Sequence, residues 1–265
     1  MKRLLFLAMF ASAALARPRA LLIGINDYSA TQIRTRPQSA APGRQWPDLA
    51  GTVNDVNALR EILIGVYAFD PRDVVTLTDQ SATRAAILQA IEQHLVANAA
   101  KGDVVFFYFA GHGSQVRNSK SDEPDGFDES IIPADSRLGA PDIRDKELRR
   151  LFNRILDRGA RLTILLDNCF SGSGARGFPP GSPARGIDPD LRDIRDAADY
   201  GPRPERRGAL VLSAAQDFDS ARERTDAAGK IHGAFSLAWL RALRDAAPGR
   251  AGRGNVRARR RADET

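Results

Sequence analysis

Cys169 is the only cysteine in the 265-residue chain. It ends an apolar run, Arg161-Leu-Thr-Ile-Leu-Leu-Asp167-Asn168-Cys169, just before the Gly/Ser segment Phe170-Ser-Gly-Ser-Gly174. A thiol where a buried strand breaks into such a turn is placed to react. It attacks as the thiolate, so a partner must take its proton near neutral pH, and histidine is the side chain suited to that. His112 lies fifty-seven positions upstream, at the end of a second run of the same kind, Val104-Val-Phe-Phe-Tyr-Phe-Ala110-Gly111-His112-Gly113. Glycine on both sides lets a substrate backbone approach and leaves the Gly113 N–H free to face an oxyanion, with the Cys169 N–H as a second donor. The spacing predicts a catalytic pair of His112 and Cys169 and an oxyanion hole at Gly113 and Cys169. Each residue alone has a plainer reading: a buried structural thiol and a loop histidine.

These two runs need a frame that brings their ends together. Arg19-Ala-Leu-Leu-Ile-Gly-Ile-Asn26 reads as a third buried strand and Val74–Thr78 as a fourth, with Ile131–Ala134 a short one and Ala209–Ala215 the last. Helical spacing of apolar residues covers Thr52–Ile64, the stretch from Ser81 with Ile87, Leu88, Ile91 and Leu95 inward and Thr83 as N-cap, about Asp145–Leu156, and Ala234–Leu243. His94 lies beside the second helix's buried face and reads as a satisfied histidine. Strands alternating with helices predict an α/β fold, a three-layer sandwich around a mostly parallel sheet. In such sheets chemistry gathers outside the carboxyl ends of the strands, where His112 and Cys169 both lie.

Met1-Lys-Arg followed by a short apolar stretch ending Ala14-Leu-Ala16 reads as a secretory signal peptide over 1–16, cleaved near Ala16, so a secreted or periplasmic protein without a stable membrane span is expected. The domain is expected over 17–248, with a mobile insertion at about 173–207 rich in Pro, Gly, Arg and Asp, and a basic disordered tail at 249–265. Of the net charge of +6, Lys2 and Arg3 belong to the leader, and the tail carries six Arg against Asp263 and Glu264. The domain between is formally neutral, which argues against a nucleic-acid partner. One cysteine excludes an internal disulfide, and a monomer without organic cofactor is expected.

Several motifs in one order then carry a resemblance. Leu21–Asn26, Leu49-Ala-Gly-Thr-Val-Asn-Asp55, Phe109–Gly113, Asp122–Glu129 with Pro133-Ala-Asp135, Asp167–Gly172, Ser213–Ser220 and His232–Phe235 resemble the bacterial metacaspases among the caspase-like cysteine peptidases. The separation of Cys169 and His112 also fits the roughly 50 residues of that class. The resemblance implies a caspase-hemoglobinase fold and an endopeptidase acting on proteins or peptides after Arg or Lys. Asp55 and Asp167 match the acidic residues of the family's primary pocket, where a buried carboxylate pair would select a guanidinium or ammonium. Their plainer readings are a helix cap and a strand end. Thr52 stands where the family commonly has cysteine, and Ala110 where it has serine.

The family is often calcium-activated, and Asp128 and Asp145 match its calcium ligands. Lys146 and Arg176 stand in the places of two further acidic ligands, and a cation there repels Ca²⁺, so weak or absent calcium dependence is expected. Asp122, Asp125, Asp128 and Glu129 are left as an acidic loop that either binds calcium unaided or is simply solvated. Arg176, Arg185, Arg195, Arg206 and Arg207 in the insertion are candidate self-cleavage sites. Two alternatives stay open: a related peptidase with Asn or Asp specificity, which needs a non-acidic pocket, and a non-catalytic binding module with the same fold.

Overall fold

Apolar runs with no polar alternation must be covered on both faces, and this one requirement generates the architecture. The computed structural model describes residues 16–29, 43–169, 184–214 and 221–246. In chain order its elements are β1 (Pro18–Gly24), α1 (Thr52–Gly65), β2 (Val74–Thr78), α2 (Arg84–Ala90), β3 (Val104–Ala110), β4 (Gly113–Arg117), β5 (Phe127–Ile131), β6 (Ile143–Arg144), α3 (Asp145–Asp157), β7 (Arg161–Asp167), β8 (Leu210–Ser213), β9 (Glu223–Thr225), β10 (Ile231–Gly233) and α4 (Ala234–Asp245). The central sheet is parallel, in the order β2-β1-β3-β7-β8.

Side chains two apart on a strand share a face, and β1 divides accordingly. Ala20 and Leu22 face α1 and α4 with Phe106, Tyr108 and Leu165, packing on Val56, Leu59, Ile62 and Leu240. Leu21 and Ile23 face α2 and α3 with Phe107, Phe109 and Ile164, packing on Ile87, Ile91, Phe152 and Ile155. Each fully buried aliphatic or aromatic side chain contributes roughly 1.5–3 kcal/mol. Thr83 caps α2, its hydroxyl accepting from Ala86 N at 3.2 Å. His94 Nε2 lies 3.1 Å from the carbonyl oxygens of both Ala20 and Asp73, which ties the helix extension at Ile91–Val96 to the sheet. Among the described residues no helix is long and apolar enough to cross a membrane.

A three-stranded antiparallel sheet, β4-β5-β6, sits beside the main one. Of the short strand read at Ile131–Ala134 only Ile131 is strand, as the last residue of β5, which begins earlier, at Phe127. Its acidic Asp128 and Glu129 hide the strand pattern, because Asp128 is buried by ion pairing and not by apolar packing. Of the segment read as a mobile insertion, 173–183 lies outside the described residues. From Ala184 onward the chain is fastened to the body, with bridges Gly113↔Gly186, Val116↔Asp190 and Ala184↔Arg222. Backbone bonding of this kind leaves no period in the sequence. Residues 1–15 of the segment read as a leader, and the tail at 249–265, lie outside the described residues.

Candidate active site

β3 and β7 are neighbours in register, with Ala110 opposite Asp167, so the segments just beyond them, His112-Gly113 and Asn168-Cys169, emerge side by side. Gly113 has to be glycine: a Cβ there would lie 2.0 Å from Cys169 O and 2.2 Å from Asn168 Nδ2. The amides of Gly113 and Cys169 converge on one acceptor, the carbonyl oxygen of Arg185, at 3.0 and 2.8 Å. Arg185 belongs to the segment after the cysteine, and its own N–H donates to Ala221 O at 3.1 Å.

The Arg185 side chain is wholly buried. Its Nη1 lies 2.8 Å from Asp167 Oδ2, and its Nη2 lies 2.9 Å from Asp55 Oδ2 and 3.1 Å from Glu223 Oε1. Asp55 projects from α1, Asp167 from the end of β7 and Glu223 from β9. None caps its own element. Asp55 also accepts from His232 Nδ1 at 2.8 Å and Gly233 N at 3.0 Å. Asp167 accepts from Ser236 Oγ at 2.5 Å, and burial raises its carboxyl pKa despite Arg185 beside it. Gly233 lets the pair approach, since a Cβ would stand 2.0 Å from Asp167 Oδ2 and 2.5 Å from Arg185 Nη1.

Sequence reading misses Glu223 and the seat of Arg185. A signal for the first exists: α1 starts at Gly51, which has no capping side chain, and its orphan N–H groups need an acceptor from elsewhere. Glu223 accepts from Gly51 N at 2.7 Å and Ala50 N at 3.1 Å, and Asn26 Oδ1 accepts from Thr52 N at 3.0 Å. Thr52 and Ala110 make no polar side-chain contact with Arg185. The Thr52 hydroxyl donates to Asn26 Oδ1 at 2.8 Å, and Ala110 lies in the apolar layer under α1 and α4.

The two candidate catalytic groups are covered. Cys169 is 1% exposed and its Sγ accepts from Ala221 N at 2.8 Å. Burial pushes its thiol pKa up. His112 Nε2 lies 2.7 Å from Pro47 O, and its Nδ1 is buried with no hydrogen-bond partner among the described residues. Burial lowers the imidazole pKa to about 4, so the ring is neutral at pH 7. Tyr28 holds it, accepting from His112 N at 2.8 Å with ring centroids 4.7 Å apart.

Of the two residues matched to a calcium site, Asp128 does not fit that ion. The buried Asp128 carboxylate takes Lys146 Nζ at 2.7 Å, Arg144 Nη1 at 3.0 Å, Ser121 Oγ at 2.6 Å and Asn118 Nδ2 at 2.9 Å. Lys146 also pairs with Asp122 at 2.7 Å, and Asp145 is held by Arg149 at 3.0 Å. The Asp128 oxygens are thus committed, and an ammonium already stands among them. Glu123, Glu129 and Asp145 each bring an oxygen within 4.8 Å of the others, Asp145 Oδ1 is buried with no hydrogen-bond partner among the described residues, and burial pushes the Glu129 carboxyl up to about 7. Arg176 lies outside the described residues.

Comparisons with known proteins show the family. The family model described as metacaspase, peptidase C14 domain, matches residues 18–175. Metacaspase-1B of Aspergillus fumigatus is 34% identical over 232 residues, 81% of this chain and 52% of the relative. Metacaspase-1 of Schizosaccharomyces pombe is 36% identical over 174 residues, 63% of this chain and 37% of the relative. The chain thus spans about half or less of the length of these curated relatives. A solved structure of a Geobacter sulfurreducens protein superposes with a TM-score of 0.60 at 23% identity, covering 86% of this chain and 82% of that one, and so shares the fold. The chain belongs to the metacaspase family of C14 cysteine peptidases.

Proposed function

We propose that this chain is a cysteine endopeptidase that hydrolyses peptide bonds after Arg and, less well, Lys, and that Arg185–Gly186 is its own first substrate. One observation carries the reading: Arg185 sits as a substrate residue would, its guanidinium among three carboxylates and its carbonyl oxygen between two amides. Each terminal nitrogen of the guanidinium has a carboxylate of its own, a two-ended match that a single ammonium cannot reproduce. The acidic pocket also speaks against Asn or Asp specificity.

In the proposed reaction neutral His112 takes the Cys169 proton and the sulfur attacks the carbonyl carbon. The Gly113 and Cys169 amides hold the oxyanion, each worth about 10²–10³ in rate. Protonated His112 then gives its proton to the leaving nitrogen, and water hydrolyses the thioester by the same steps in reverse. The raised thiol pKa and lowered imidazole pKa belong to the form with Arg185 seated, and they suit a resting enzyme. A buried thiol is also what a non-catalytic module would show. Iodoacetamide labelling of Arg185→Gln separates the two, since Cys169 becomes reactive in a peptidase once its cover is gone and stays inert in a module.

Calcium is not required in this reading, because Lys146 carries the positive charge the acidic loop needs. Fluorogenic peptides ending in Arg, Lys and Asp test the proposal against wild type and Cys169→Ala. Arg is expected to be turned over fastest, Asp not at all, and Cys169→Ala to lose about 10⁴-fold or more. Absence of Cys169-dependent turnover of any peptide overturns it.

A further inference from the structure

Past Arg185 the chain does not leave the surface. Ile187 N donates to Gly113 O at 3.0 Å, Asp190 N to Gln115 O at 2.8 Å, Arg117 N to Asp190 O at 2.9 Å and Ile194 N to Arg117 O at 2.8 Å. Ser114 Oγ lies 3.0 and 2.9 Å from the carbonyl oxygens of Ile187 and Asp188. Residues 186–194 therefore run parallel to β4 along the edge that β5 does not use. Ile187 is buried in the apolar core. Further fastenings follow, with Arg44 Nε to Asp188 O at 2.9 Å, Asn118 Nδ2 to Asp196 O at 2.7 Å and Arg144 Nη2 to Asp196 Oδ2 at 2.8 Å.

We propose that the outer edge of β4, Gly113 to Arg117, is the binding site for the leaving side of an extended polypeptide substrate, and that residues 186–194 are a built-in strap that keeps this edge closed after the Arg185–Gly186 bond is cut. This rests on reading Arg185 as the occupant of the substrate site. Any chain whose carbonyl lies between the Gly113 and Cys169 amides continues in the direction Gly186 takes, and the next bonding groups there are Gly113 O, Ser114 Oγ, Gln115 O and Arg117 N. Strand addition to such an edge is a general way of holding extended peptides without reading their side chains. None of the strap's bonds passes through the Arg185–Gly186 peptide, so hydrolysis removes none of them. The self-cut enzyme then accepts substrates with a small leaving group and resists long ones until the strap is displaced.

The test compares two substrates with the same residues up to Arg, one followed by an aminocoumarin and the other by six residues and a quencher, on the full self-cut protein. The long substrate is expected to have kcat/KM about tenfold or more below the coumarin substrate, a difference of about 1.4 kcal/mol. Asp190→Pro removes a strap donor, and Ile187→Asp its apolar anchor. Either is expected to raise the long substrate's kcat/KM several-fold while the coumarin rate holds. Equal turnover of both substrates by wild type, or a ratio that neither variant moves, overturns the strap. No turnover of the coumarin substrate instead defeats the Arg specificity on which it rests. Should both variants fail to fold, hydrogen exchange on self-cut wild type decides: protected Ile187, Asp190 and Ile194 amides uphold the strap, and exchange at the rate of open chain overturns it.

Discussion

Two acidic clusters each enclose a buried basic side chain of the same polypeptide, and they differ in what that side chain is attached to. In the first, Asp55, Asp167 and Glu223 hold Arg185, which belongs to an irregular segment whose neighbouring bond lies in an oxyanion-hole geometry. In the second, Asp122 and Asp128 hold Lys146, which belongs to the first turn of α3 and is fixed by a helix packed on the core. In the proposed reading the same electrostatics makes a substrate pocket in the first case and stands in for a bound ion in the second.

The contrast is open to attack on both sides. The largest effect is expected at the pocket: Asp167→Asn should lower kcat/KM for Arg peptides by about 10²–10³, the cost of leaving a buried guanidinium short of a partner. Asp128→Asn should leave that value within about threefold once the protein is folded. Steady-state kinetics on both variants checks the pair, and equal losses would erase the distinction. Next comes Lys146→Ala, expected to lower unfolding free energy by about 3 kcal/mol, because the buried Asp128 then keeps Arg144 as its one charged partner. Denaturant titration measures it, and chelation should alter neither the activity nor the stability of wild type. A tenfold loss of wild-type activity on chelation, restored by calcium, would remove the claim that Lys146 replaces the ion.

Smaller still is Glu223→Gln, which should reduce the preference for Arg over Lys by about tenfold, since one charged hydrogen bond is weakened at one end of the guanidinium. An unchanged ratio with a lowered overall rate would assign Glu223 to capping α1 only. The least effect concerns pH. Burial holds the His112 pKa near 4, below the ordinary histidine value of about 6.5. The unfolded chain therefore takes up this proton first as pH falls, and the associated stability, full above about pH 6.5, is lost progressively down to about 4. Melting temperature should drop between pH 7 and 5, and the drop should shrink in His112→Asn.

Much of the fold is legible because apolar runs such as Val104–Ala110 and Arg161–Asp167 admit few alternatives to a doubly covered parallel strand. The smaller sheet is not, because β4 and β5 carry Gly113, Ser114, Asp128 and Ser130, buried residues held by hydrogen bonds and ion pairs that leave no hydrophobic period. The same difference divides the site. His112 and Cys169 announce themselves through flanking glycines at strand ends, and Asp167 through its place two residues before the thiol. Glu223, between Arg222 and Arg224, looks like any solvated charge, and only the uncapped start of α1 hints that it turns inward. The seat of Arg185 is illegible for another reason. It depends on two amides and three carboxylates from four parts of the chain, and among several arginines of the segment nothing local distinguishes it.

Arg185 is proposed to be held as a substrate is held, and intact-mass analysis of the purified protein tests that directly. Wild type is expected to yield fragments ending at Arg185 and beginning at Gly186, with Cys169→Ala intact and Arg185→Gln uncut at that bond. Wild type that hydrolyses Arg peptides while its Arg185–Gly186 bond stays whole would contradict it.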